Sequence, residues 1–140
     1  MLERLQCRGV TVLRTAIITQ GAIQLIGIDD SEDPSQVERE IARLDIDAQR
    51  FVLLLYHRPQ GLAAAAAAGV DLMISGHTHN GQIVPFNLVV KNVFEQIVGL
   101  FTHGETKLYV STGTGTWGPV MRLGSRGEVT LFEVLPAGAA

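Results

Sequence analysis

The sequence predicts an α/β fold with mixed sheets. Three observations carry that expectation. Phe51–Tyr56 and Val70–Ser75 are short apolar runs with no polar alternation, as in strands covered on both faces. Between them, Gln60–Ala68 holds six consecutive alanines, the best helix formers, and Gly69 follows as a C-terminal stop. Strand, helix and strand in that order make a βαβ crossover, which places the two strands parallel and adjacent.

The remaining elements follow in chain order. Leu2 and Leu5, interleaved with Glu3 and Arg4, predict a short helix ending at Gly9. Val10–Thr19 is rich in β-formers, and Ala22–Ile28 is a second β run that stops at Asp29-Asp30. Gln20-Gly21 between them predicts a hairpin. Ser31–Pro34 reads as a turn, with Pro34 in the first turn of a helix over Ser35–Leu44 whose Val37, Ile41 and Leu44 share one face. Val84–Val90 reads as extended and Asn92–Leu100 as helical. Thr106–Ser111 predicts a strand, Thr112–Gly118 a glycine-threonine loop, and Glu128–Val134 a final alternating strand. Residues 1–135 read as one domain without repeat or linker, followed by a flexible tail over 136–140.

Composition narrows the function classes. The chain has 140 residues, 46% hydrophobic and 18% charged, enough for the core of one small domain. Eleven Lys+Arg against fourteen Asp+Glu leave a net charge of −3, without the basic footprint that nucleic acid or an anionic membrane demands. The single cysteine, Cys7, excludes an internal disulfide and is expected to pack within the first helix. No apolar run reaches the ~20 residues that span a bilayer. The residues given therefore read as soluble, and the compartment stays open.

The chemistry-bearing segment is Ile74-Ser-Gly-His-Thr-His-Asn-Gly-Gln82. His77 and His79, at i and i+2 of an extended segment, can face the same side, and Gly76 and Gly81 let the chain turn sharply. Alone, such a pair fits a polar surface loop as readily as a ligand pair. His57 changes the balance, because it follows the other strand of the βαβ unit. Ligands of open α/β sheets collect beyond the carboxyl ends of strands. Three neutral imidazoles brought there together suit a transition metal.

Tyr56-His-Arg-Pro59, the Gly-His-Thr-His segment and Leu108-Tyr-Val-Ser-Thr-Gly-Thr-Gly-Thr-Trp-Gly-Pro119 together resemble the C-terminal half of calcineurin-like metallophosphoesterases. Val10-Thr-Val-Leu-Arg14 and Gly27-Ile-Asp-Asp30 match the same family in the same order. The branch is similar to bacterial phosphodiesterases related to UDP-diacylglucosamine hydrolases. The resemblance implies part of an α/β-β/α sandwich with a two-metal centre at the strand ends. It implies His57, His77 and His79 as ligands of manganese, iron or zinc, and hydrolysis of phosphodiester or phosphomonoester bonds by a metal-activated water. It also implies a phosphoester substrate, near which Asn80 adds a side chain. Trp117 and Arg122 read either as lining of the substrate groove, where Arg122 suits a phosphate, or as parts of an ordinary strand-connecting loop with Trp117 over the core. Asn80 replaces a glycine common in the branch.

The family's Asp-x-His, Gly-Asp-x-x-Asp/Asn and Gly-Asn-His-Asp/Glu segments are not in this sequence. Two divalent cations carry +4, and neutral imidazoles remove none of it, so a close pair of ions would repel strongly without carboxylates. The chain alone is expected to hold at most one ion, to supply no general acid or base, and to be inactive by itself. Asp29 and Asp30 read as turn or capping residues, with metal contact the lesser alternative. His103 reads as a hairpin-turn residue. The sequence is expected to be a piece of a longer enzyme that carries any membrane anchor elsewhere. Apolar faces on Phe51–Leu55 and Val70–Ile74 would then be uncovered and favour self-association. The alternative is an inactive remnant that binds one zinc or acts as an interaction module.

Overall fold

The computed structural model describes residues 2–136. Six strands form one mixed sheet: β1 (Ala16–Gln20), β2 (Ile23–Gly27), β3 (Phe51–Leu55), β4 (Leu72–Ser75), β5 (Gly99–His103) and β6 (Thr106–Val110). Their order is β1-β2-β3-β4-β6-β5. The four central strands β2, β3, β4 and β6 run parallel, and the edges β1 and β5 are antiparallel to their neighbours. The hairpin at Gln20-Gly21 and the β3-to-β4 crossover are both present. Helices α1 (Leu2–Gln6), α2 (Gln36–Ile41), α3 (Leu62–Ala67) and α4 (Phe86–Val93) complete the described residues, in which no helix is long and apolar enough to cross a membrane.

The core lies between the sheet and α2 with α3. Ile26, Val52, Leu54, Met73, Leu108 and Val110 are fully buried there against Val37, Ile41 and Ala65. Helix α2 is shorter than Ser35–Leu44, and Pro34 precedes it rather than entering its first turn, but its apolar face is the one expected. Gly61 begins α3 at φ +81°, and an added Cβ would come within 2.5 Å of the Val37 Cβ, so α2 and α3 meet there at backbone distance. Asp71 ties the crossover: its Oδ2 accepts from the Val52 N–H at 2.7 Å.

Five expectations are corrected. Phe51–Tyr56 is not covered on both faces: Val52 and Leu54 are buried under the helices, whereas Leu53 is half-buried and Leu55 is 40% exposed. Leu72 and Met73 are buried in β4, so the predicted uncovered patch is confined mainly to β3. Residues 84–103 reverse the predicted order, with helix at Phe86–Val93 and strand at Gly99–His103. Pro85 precedes a helix here, and β5 exists because it pairs with β6 across the Gly104 turn. Glu128–Val134 is not a strand. Its alternation is nonetheless spent on contacts. Glu128 Oε1 accepts from the Tyr109 hydroxyl at 2.5 Å, Thr130 Oγ1 is 3.1 Å from the same hydroxyl, and Phe132 packs edge-to-face on the Tyr109 ring. Val129 and Leu131 face outward, 88% and 93% exposed, and no ladder forms alongside among the described residues. Cys7 lies beyond α1 and is exposed, so it does not pack. From residue 137 on, the expected tail lies outside the described residues.

Candidate metal centre

The ends of β3 and β4 are stitched by their own backbones. The Tyr56 N–H donates to the Ile74 carbonyl at 3.2 Å, and the Gly76 N–H to the His57 carbonyl at 3.0 Å. The Ser75 hydroxyl donates to the Arg58 carbonyl at 3.1 Å. These bonds fix the two histidine-bearing loops side by side, as the crossover requires. The His57 and His77 rings meet edge-to-face with centroids 4.9 Å apart, and Phe94 closes on the other side of His77 at 5.3 Å.

The second loop is tightly wound. His77, His79, Asn80 and Gln82 all have φ between 49° and 68°, a left-handed conformation costly for side-chain-bearing residues. Thr78 holds the turn from within, its hydroxyl donating to the Ile97 carbonyl at 2.6 Å. Gln82 is buried and clamps the glycine-threonine loop. Its Nε2 donates to the Trp117 and Pro119 carbonyls, and its Oε1 accepts from the Trp117 N–H at 2.6 Å. Nothing in the sequence around Gln82 signals this role, because a clamp has no local signature.

His57, His77 and His79 line one pocket of about 400 Å³. Arg58 shares its polar side, and Phe86, Val90 and Phe94 with Trp117 form an apolar wall. Trp117 is 68% exposed, so it rims the pocket and does not cover the core. As the side chains stand, no group of three or more His, Cys, Asp or Glu among the described residues is gathered tightly enough to hold a metal ion. His57 and His77 are in contact, and His79 is turned toward Arg122, whose Nη2 lies 3.2 Å from its Nδ1.

The other candidates are placed as follows. Arg122 spends its guanidinium on the carbonyls of Thr112, Gly113 and Gly115. Asn80 sits in the left-handed turn and does not line the pocket. Asp29 pairs with Arg14 at 2.8 Å and Asp30 with the pocket residue Arg58 at 2.9 Å, so both are ion-pair partners, and Asp30 opposes part of the effect of Arg58 on His77. His103 lies where β5 turns into β6, outside the histidine pocket. Glu32, which the sequence placed in a turn, is the carboxylate that does reach the pocket lining, 4.0 Å from Arg58.

Electrostatics keeps two of the rings neutral. Burial is the main cause that pushes His77 and His79 below the usual imidazole range, with Arg58 adding to the effect at His77 and Arg122 at His79. A neutral ring offers the lone pair that a metal needs. The unfolded chain takes up these protons at the ordinary value and the folded chain resists them. Their stabilising contribution is thus complete above about pH 6.5 and is lost as the pH falls through the lower folded values. We expect the urea midpoint of the metal-free chain to fall between pH 7 and pH 5, and to fall less in a His77→Gln, His79→Gln double variant. An equal fall in both proteins would contradict this. Asp33 acts in a separate window: the Arg39 hydrogen bond, foremost, holds it at about 2, so its contribution disappears only below about pH 4.

Comparison with known proteins bears on the same residues. The chain is 31% identical over its whole length to an uncharacterized metallophosphoesterase of Helicobacter pylori, covering 40% of that protein. It is 32% identical over 98% of its length to an uncharacterized metallophosphoesterase of Aquifex aeolicus, covering 55% of it. A Bos taurus protein named as a transmembrane protein with a metallophosphoesterase domain is 43% identical over 77% of the chain, which covers 26% of that relative. The chain thus spans between about a quarter and about half of the length of these relatives. No family model and no solved structure matches it. With a mixed α/β sheet and with relatives of this name along most of its length, the chain belongs to the calcineurin-like metallophosphoesterase family.

Proposed function

We propose that this chain is the histidine-bearing part of a metal-dependent enzyme that hydrolyses phosphodiester or phosphomonoester bonds. The observation that supports it most is the meeting of His57, His77 and His79 in one pocket beyond the carboxyl ends of two parallel strands. The donor set fits the group: neutral imidazoles suit manganese, iron or zinc. Such ions neutralise the phosphoester charge and activate a water.

The chain's own residues do the holding and shaping. His57 and His77 stand in ring contact, and His79 lines the same pocket beside them. Arg58, fixed by Asp30, presents positive charge at the pocket, while Phe94 and Trp117 limit water on the opposite side. Trp117 rims the place where a substrate would enter, and Asn80 stands outside the pocket lining. Glu32 is the one carboxylate in the lining among the described residues, which is too little to balance two close divalent ions. We therefore assign at most one ion to these 140 residues, and two to the whole enzyme. We extend to the whole protein the membrane location that the names of two relatives suggest.

Isothermal titration with inorganic phosphate tests the reading. The zinc-loaded chain is expected to bind phosphate, and the metal-free chain and His77→Ala are not. Turnover of bis(p-nitrophenyl) phosphate should stay at the metal-only blank. Absence of phosphate binding by the loaded chain would overturn the proposed function. Two ions per chain with robust turnover would overturn the single-ion share.

A further inference from the structure

The mouth of the histidine pocket is rimmed by apolar side chains that the fold leaves uncovered. Helix α4 is one source. None of its residues is buried, and Leu88, Val89 and Val93 are exposed, Val93 at 67%. The loop after β6 is the other, with Trp117, Val120 and Met121 all exposed. The two segments make one surface. The Val84 N–H donates to the Leu123 carbonyl at 2.8 Å, the Leu123 N–H donates to the Gln82 carbonyl at 2.9 Å, and the Gln82 side chain holds the Trp117 and Pro119 carbonyls. Phe86 and Trp117 belong both to this surface and to the pocket wall. Exposed apolar residues scattered singly are ordinary, whereas a contiguous group of large ones marks an interaction site.

Charge says what kind of partner suits it. Acids outnumber bases over the whole chain, but not here. Residues 82–94 and 112–127 contain Lys91, Arg122 and Arg126 and none of the fourteen Asp and Glu. Lys91 and Arg126 are exposed. Glu95 and Glu128 stand just past the two segments, and Glu128 accepts from the Tyr109 hydroxyl. Glu32, the acid of the pocket lining, lies by Arg58. Aliphatic side chains with a tryptophan among them, accompanied by cations, match the interface of an anionic bilayer. There the tryptophan sits at headgroup level, the aliphatic chains enter and the cations meet lipid phosphates. A second copy of the chain fits less well. A two-fold contact through this face would bring together two patches of the same sign, with no carboxylate in either to pair the cations.

We propose that this face docks on an anionic phospholipid bilayer. The exposed side chains of α4 and of residues 117–121 enter the interface, and Lys91 and Arg126 contact the lipid phosphates. The pocket mouth then lies within the docked face. With few apolar side chains and few charges, the attachment is reversible and sensitive to salt. The inference stands apart from the metal reading, because the surface needs no ion to form. It adds to the membrane location proposed above the surface that touches the lipid.

The test is vesicle binding by the metal-free chain, followed through Trp117, the one tryptophan of the sequence. With vesicles of equimolar phosphatidylglycerol and phosphatidylcholine, the chain is expected to co-sediment and its emission to shift to shorter wavelength. Binding to pure phosphatidylcholine should be at least about 10-fold weaker, and salt should release the chain. Lys91→Gln and Arg126→Gln should each weaken binding about 5-fold. The Val89→Asp, Val93→Asp double variant should lose it with an unchanged thermal melt, because both side chains are exposed. Leu100→Asp, equally exposed but on the edge strand β5, should bind as wild type does. If the double variant unfolds, the two charge variants decide. Folded wild type that stays in the supernatant would overturn the proposal. So would equal binding to neutral vesicles, or wild-type binding by the folded double variant or by both charge variants. A concentration-dependent dimer that the same double variant breaks, with no vesicle binding, would assign the face to a second copy instead.

Discussion

Replacing His77 with alanine is expected to lower the affinity of the chain for zinc or manganese by about 100-fold or more, with His57→Ala close behind. Loss of groups that merely orient a ligand costs 10- to 100-fold, so loss of a ligand itself should reach at least that. His77 is the central member of the three. Its ring contacts His57, its loop continues into His79, and Phe94 fixes its other side. The effect should not arise from unfolding. Below the usual imidazole range the half-buried ring gains nothing from a proton, and its removal leaves no uncompensated charge. His103→Ala, in the β5–β6 turn, is the matched control and should leave affinity unchanged. Competition with a chromophoric chelator, alongside a thermal melt, reads both numbers. Equal affinity in wild type and His77→Ala would remove the site.

How much of this was legible in the sequence depends on how local each determinant is. The β3–α3–β4 unit was readable because apolar runs, an alanine helix and Gly69 all act within a few residues. His57 and His77 then became neighbours through one topological rule, and the backbone bond from Gly76 to His57 realises it. Residues 84–103 were misread because Val89 and Val90 favour strands in isolation, whereas the pattern Phe86, Val90, Phe94 lays a helix against the histidine loop. Glu128–Val134 shows the converse. Its alternation is real, but a strand needs a ladder, and the even-numbered side chains are occupied with Tyr109 instead. Arg122 was recognised as a cation near the site, but its partners come from residues 112–115 and 125–126, brought together by a loop that no window of sequence describes.

Gly81→Ala is expected to be the most disruptive single change near the site, destabilising the fold by about 2–5 kcal/mol. Two costs add. Gly81 sits at φ +72°, where a Cβ is strained, and the new atom would lie 2.2 Å from the Asn87 Cα and 2.5 Å from its N. Those are backbone atoms in the first turn of α4, so no rotamer change relieves the clash. Helix and loop must part. Asn87 has little slack to give, because its Oδ1 is already buried without a protein partner. The consequence reaches function, since α4 carries Phe86 and Val90 and leads to Phe94, the apolar wall facing the imidazoles. Gly76→Ala in the same loop is the informative comparison. Its φ is ordinary and the nearest atom to a new Cβ is the Ser111 carbonyl at 3.9 Å, so it should stay within about 0.5 kcal/mol of wild type. Urea unfolding of the two variants, with amide exchange across residues 86–93, separates the outcomes. If they unfold at the same midpoint, α4 does not depend on a side-chain-free position 81, and the pocket wall is held by something other than that contact.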